Sequence, residues 1–291
     1  MSIISLLQDT LLLFVVLMGL IGLITGSFLN VVIYRLPLMM QREWRSQCRS
    51  LLELDDPERT QDPFNLVKPR SRCPQCQHLI AAIDNIPVLS YLLLGGKCRY
   101  CKTRISLRYP LIEVLTCVLT AAVAWHFGFT LQTLFAAVLT WSLICLSVID
   151  IDQQLLPDDI TLPMLWLGLI CNMFGLFTNI HSSLSGAILG YGVLWLIFMS
   201  YKLLTGKEGM GYGDFKLLAM LGAWLGWEML PLIILLSSLV GAMSGIGLIL
   251  FARHERAKPI PFGPYLAMAG WIALIAGDRL IGLYLGWATG V

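Results

Sequence analysis

Apolar runs separated by short polar joints fill most of the chain, interrupted by one long polar stretch at 35–108. The first run, 10–34, exceeds the roughly 20 residues a helix needs to cross a bilayer. Others cover approximately 110–127, 131–149, 160–178, 184–204, 216–230, 231–252 and 262–287. Open sheets leave backbone groups unsatisfied in lipid, so the runs predict about eight transmembrane helices. The sixth is short, and Pro231 marks either a boundary or a kink. The first run is too long for the apolar core of a signal peptide and has no Lys or Arg before it, so it reads as a retained helix.

Composition agrees with this pattern. Hydrophobic residues make up 57% of the chain and charged residues 13%, against roughly 25% charge in ordinary soluble domains. The expected fold is an all-α polytopic membrane protein. Charge then orients it. The stretch 35–108 holds 13 of the 20 Lys and Arg residues, which places it in the cytoplasm and the N-terminus in the periplasm. With eight spans, the loops carrying Lys202, Lys207 and Lys216, and then Arg253, Arg256 and Lys258, fall on the cytoplasmic side. The joints near 128–131 and 178–183 carry no Lys or Arg. Arg279 is the exception, and Asp278 beside it offsets its charge. A net charge of +2, with the basic residues explained by topology, argues against a nucleic-acid partner.

The polar insert brings the first chemistry. Its early part, about 42–68, is mixed in charge and reads as helix or loop. C-P-Q-C at 73–76 and C-R-Y-C at 98–101 are separated by 21 residues. Two such knuckles, Cys73 with Cys76 and Cys98 with Cys101, suit one tetrahedral zinc ion. The alternative, redox or disulfide-bonded cysteine, fits a cytosolic segment poorly. Four thiolates close the coordination sphere, so the zinc is expected to be structural. Cys48, Cys117, Cys145 and Cys171 lie outside the pattern. His78, His126, His181 and His254 show no ligand or triad spacing.

Acids at the ends of apolar runs bring the second. Asp150, Asp152, Asp158 and Asp159 cluster where the third span ends and the fourth begins. Asp152, Asp158 and Asp159 read as loop or helix-capping acids. Asp150 directly follows the apolar run and is expected to lie deepest. Glu113 and Glu228 also fall in or near spans, without an assigned role. Asp214 starts another span on the same side, in G-M-G-Y-G-D-F-K at 209–216. Gly209, Gly211 and Gly213 permit positive φ and close backbone approach. The stretch is either a bent helix entry with room for an extended peptide or a flexible loop with Asp214 as a cap. If Asp150 and Asp214 meet, they do not readily ionise together. The charged carboxylate would activate water while the protonated one polarises a carbonyl.

With these segments in order, the chain resembles the type IV prepilin peptidases, bifunctional leader peptidases and N-methyltransferases of the bacterial inner membrane. The resemblance runs from G-S-F-L-N-V-V-I-Y-R-L-P at 26–37 through both Cys pairs, I-D-I-D-Q-Q-L-L-P-D at 149–158 and the 209–216 motif to P-F-G-P-Y at 261–265. It implies catalytic Asp150 and Asp214, Asp150 being chosen over Asp152 because it stands seven residues before Pro157. Gly211, Gly213 and Lys216 are then motif residues; Lys216 steers substrate or anchors topology. The implied reaction removes a basic leader from type IV prepilins and type II secretion pseudopilins, after a Gly and commonly before a Phe, at the cytoplasmic interface. S-adenosylmethionine then methylates the new amine. No G-x-G-x-x-G loop is present, so methyl transfer is expected in 26–108, with Glu43, Gly95, Gly96 and Lys97 as candidates. Gly95 and Gly96 equally suit a turn. The expected division is a first helix at 1–34, a zinc-binding insert at 35–108, and a seven-helix peptidase domain at 109–291. Competing readings are a presenilin or signal-peptide-peptidase type protease without methylation, and a non-enzymatic transporter or scaffold. G-A-M-S-G at 241–245 imitates a rhomboid serine motif but reads as small-residue helix packing.

Overall fold

A computed structural model describes residues 3–54, 64–207, 209–251 and 261–289. Part of the early insert, together with Arg253, His254, Arg256 and Lys258, lies outside the described residues. The described chain is helical, with no β-strand beyond two isolated bridges. It divides into two compact units, Met1–Phe129 and Thr130–Val291.

The first unit holds α1 (Ile3–Asp9), α2 (Leu11–Leu51), α3 (Leu89–Leu93) and α4 (Arg108–Phe127). Helix α2 does not stop at the end of its apolar run. It continues through a buried Pro37 to Leu51, 41 residues in all, about 60 Å at 1.5 Å per residue and twice the thickness of a hydrocarbon core. Its apolar half packs on α4 through glycines. A Cβ at Gly22 would lie 2.7 Å from Thr120 Oγ1, and one at Gly26 would lie 2.8 Å from Glu113 Cα. Close backbone approach of this kind holds helices together in lipid, where hydrophobicity cannot. Thr116 and Thr120 return their hydroxyl hydrogens to carbonyls one turn back, which leaves the buried seam satisfied.

The second unit contains α5 (Leu131–Gln153), α6 (Asp158–Met173), α7 (Ile180–Thr205), α8 (Tyr212–Leu225), α9 (Leu230–Phe251) and α10 (Gly263–Thr289). Helix α8 forms its centre. Ten of its 14 residues are buried, and α6, α7, α9 and α10 pack around it. Trp224, fully buried, donates from Nε1 to Met164 O at 2.8 Å. Asn172 donates to Ala223 O and Trp224 O and accepts from the N–H groups of Phe177 and Thr178. It thereby satisfies open carbonyls at the end of α8 and fixes the loop after α6.

Helices form in all eight expected places, but the count of eight membrane crossings is not met by length. Among the described residues, six helices are long and apolar enough to cross. The fourth and sixth expected spans are α6, of 16 residues, and α8, of 14. They reach only about 24 and 21 Å, short of a 30 Å core. The apolar run through α8 is cut by Gly226 at φ 87° and a 3-10 turn, Trp227–Met229. Pro231 falls in the first turn of α9, so it marks a boundary and not a kink.

Candidate active site and metal centre

The third apolar run brings Asp150 to the last turn of α5. The helix stops four residues later because Gln154 turns left-handed (φ 52°), its N–H donating to Asp150 O at 2.9 Å. Leu156 and Pro157, both buried, lead into α6. Asp150 is 5% exposed, whereas Asp152, Asp158 and Asp159 are all exposed. Asp214, 7% exposed, lies in the first turn of α8, where Gly211 is the N-cap residue. The two carboxylates are close enough to interact electrostatically.

Leu156 links the elements around them. A Cβ on Gly213 would lie 2.8 Å from Leu156 Cβ, and one on Gly263 would lie 3.2 Å from Leu156 Cδ1. The start of α8, the start of α10 and the link between α5 and α6 thus converge on one side chain. None of Gly209, Gly211 and Gly213 takes positive φ. Their use is space: Gly213 admits Leu156, Gly209 admits the Tyr201 ring, and a Cβ on Gly211 would have only Asp214 Oδ2 within 4 Å, at 3.7 Å. Lys216 points elsewhere, into a two-pronged ion pair with Asp158 at 2.7 and 2.8 Å.

In the first unit, the four thiol sulfurs of Cys73, Cys76, Cys98 and Cys101 all lie within 4.8 Å of one another, with Cys73 and Cys101 at 3.7 Å. Four sulfurs about 2.3 Å from a tetrahedral ion stand about 3.8 Å apart, so the cluster fits one. Both knuckles have the same backbone. Cys73 N–H donates to His78 O and Gln77 N–H to Cys73 O; Cys98 N–H donates to Thr103 O and Lys102 N–H to Cys98 O. Gln77 and Lys102 both take positive φ, and the His78 and Tyr100 rings meet at a 33° tilt with centroids 3.5 Å apart. The Thr103 hydroxyl lies 3.3 Å from Cys101 Sγ, and Thr103 pulls the Cys101 thiol down to about 6, while burial and the neighbouring thiols push Cys76 up to about 11. The thiols thus share their protons as a set, which a bound cation would displace. The other four cysteines lie outside the cluster.

Gly95 and Gly96 form a left-handed turn, φ 60° and 67°, between α3 and the second knuckle. A Cβ on Gly96 would strike the Tyr91 ring. Lys97 pairs with Arg104 in an isolated bridge. Glu43 lies on α2, where it accepts from Gln47 Nε2 at 3.3 Å. No hydrogen bond or ion pair joins Glu43 to the turn among the described residues. Glu113, buried on α4, accepts the Val88 N–H at 2.7 Å. Val88, at φ 58° and ψ −48°, is the centre of a strained γ-turn closed by Leu89 N–H on Pro87 O. The buried carboxylate therefore holds the entry of α3, and with it the turn at Gly95.

Two family models match the chain. Residues 20–127 match the bacterial peptidase A24 N-terminal domain, and residues 137–246 match the type IV leader peptidase family. Among curated proteins, a prepilin leader peptidase/N-methyltransferase of Pseudomonas aeruginosa is 57% identical over 275 residues, 94% of each chain. Its namesake in Stutzerimonas stutzeri is 57% identical over 268 residues, 92% of each. That of Aeromonas hydrophila is 56% identical over 269 residues, 92% of this chain and 93% of its own. No solved structure matches significantly.

Proposed function

Because the chain belongs to the type IV leader peptidase family, we propose that it removes the basic leader from type IV prepilins and type II secretion pseudopilins and then methylates the exposed amine. The observation that carries the cleavage reading is the pair of buried carboxylates, Asp150 and Asp214, on separate helices within electrostatic reach. One, charged, takes a proton from water as the water attacks the scissile carbonyl. The other, protonated, hydrogen-bonds the carbonyl oxygen and stabilises its developing charge. The tetrahedral intermediate collapses with proton transfer to the leaving amine. Gly211 leaves room beside Asp214 for an extended peptide backbone, and Gly213 seats Leu156 behind it. Lys216 pairs with Asp158 and so ties the start of α8 to the start of α6, a supporting role at the edge of the site.

Cys73, Cys76, Cys98 and Cys101 are proposed to hold a structural zinc, which cross-links the two knuckles and has no open position for substrate. Methyl transfer is assigned to the first unit, with S-adenosylmethionine as the co-substrate that supplies the methyl group. Glu43, Gly95, Gly96 and Lys97 are the proposed contributors there. Charge distribution supports an inner-membrane orientation with the insert at the cytoplasmic side, and both aspartates share that side when the short helix α6 also passes from one face to the other. The test is direct. Purified protein in liposomes receives an intact prepilin with S-adenosylmethionine, and mass spectrometry follows the product. Loss of the leader and gain of one methyl group are expected; an intact prepilin would overturn the reading.

A further inference from the structure

The segment 261–265, P-F-G-P-Y, has no part in the chemistry above. The geometry points to Gly263 as a positioning residue for Asp150, with the start of α10 as a third wall of the active site. Asp150 occupies the last turn of α5, the carbonyl end of a 23-residue helix. A negative charge is disfavoured there. Asp214 has no such difficulty, because it lies in the first turn of its own helix. Asp150 instead borrows a helix N-terminus from elsewhere. Gly263, the first residue of α10, donates its backbone N–H to Asp150 Oδ2 at 3.0 Å, in a buried hydrogen bond.

Sterics supply an independent observation. A Cβ on residue 263 would lie 2.7 Å from that same Oδ2 and 3.2 Å from both Leu156 Cδ atoms. Any side chain there therefore displaces the carboxylate, the Leu156 wedge, or both. Glycine is the one residue that lets α10 come close enough to donate.

This inference rests on Asp150 being one of the two cleaving carboxylates, so Asp150→Asn is assayed alongside. Gly263→Ala is expected to lower kcat for leader removal about 100-fold, the usual consequence of misplacing a catalytic group by an ångström. KM and methylation of already cleaved pilin should be kept. Gly282→Ala on the same helix, where a Cβ meets nothing within 4 Å, should cleave normally. Gly263→Ala with wild-type kcat would overturn the inference. So would restoration of kcat in Gly263→Ala/Leu156→Ala, because the damage would then be packing against Leu156. If Asp150→Asn still cleaves, the reading of the dyad fails instead. A measurement independent of the folding of Gly263 variants uses glycine-labelled protein. The Gly263 amide proton resonance should move far more in Asp150→Asn than in Asp152→Asn, and an equal response would contradict the proposal.

Discussion

A methyl group added at Gly222 has no space. Its Cβ would lie 2.1 Å from Gly186 O and 2.4 Å from Gly186 C, both backbone atoms of α7. A carbon approaches a carbonyl oxygen to about 3.3 Å at closest, so α7 and α8 must separate locally by about 1 Å. Nothing flexible can absorb the shift, and the helices stay close one turn further on, where a Cβ on Gly190 would lie 2.6 Å from Leu218 O. Helix α8 carries Asp214 two turns before Gly222 and is buried almost throughout, so the displacement passes to the site. Gly222→Ala should cost about 1–3 kcal/mol, the range for overpacking a tight core. It should also lower leader cleavage about 100-fold through misplacement of Asp214. Thermal unfolding followed by tryptophan fluorescence, with cleavage kinetics on the same preparation, reads both effects. Gly192→Ala on α7, where a Cβ meets nothing within 4 Å, is the companion. It should be neutral or slightly stabilising, because alanine favours helix by about 1 kcal/mol over glycine. If Gly222→Ala melted and cleaved like Gly192→Ala, close backbone contact would not be what places Asp214.

Cys98→Ser, or prolonged chelation, should abolish bound zinc and make the insert sensitive to limited proteolysis, since the metal supplies its folding energy; metal analysis and digestion patterns check this. Glu113→Ala leaves the half-buried Val88 N–H without its carboxylate partner, at a cost of about 1 kcal/mol, the low end for a lost hydrogen bond with partial access to water. Methylation should fall more than cleavage, measured on one prepilin. Lys216→Ala removes a partly exposed ion pair with Asp158, worth about 0–1 kcal/mol. Cleavage should change by less than about threefold, whereas a raised KM would mean that Lys216 contacts substrate.

Features encoded locally were legible before the structure. The two cysteine knuckles follow from spacing, and most helices from apolar runs. Asp150 differs from Asp152 by its position at the end of such a run, and it is the buried one of the two. Features that depend on distant partners were not legible. Gly263 meets Asp150 across 113 residues, and Val88 meets Glu113 across 25. The segment 261–265 entered only as the last part of the family resemblance, and nothing in it singled out Gly263. The first apolar run ends at Tyr34, yet α2 runs on through Pro37 to Leu51, and the apolar composition around Gly226 hid the early stop of α8. Composition reports what lipid or core tolerates; it does not report where a helix ends inside a protein.

The central claim is that Asp150 and Asp214 together cut the leader. Asp150→Asn, Asp152→Asn and Asp214→Asn, each in proteoliposomes with an intact prepilin, test it by mass spectrometry. The account predicts that cleavage is lost at 150 and 214 and kept at 152, with all three proteins still methylating a pilin that has already lost its leader. Cleavage that survives in Asp150→Asn or Asp214→Asn would contradict it.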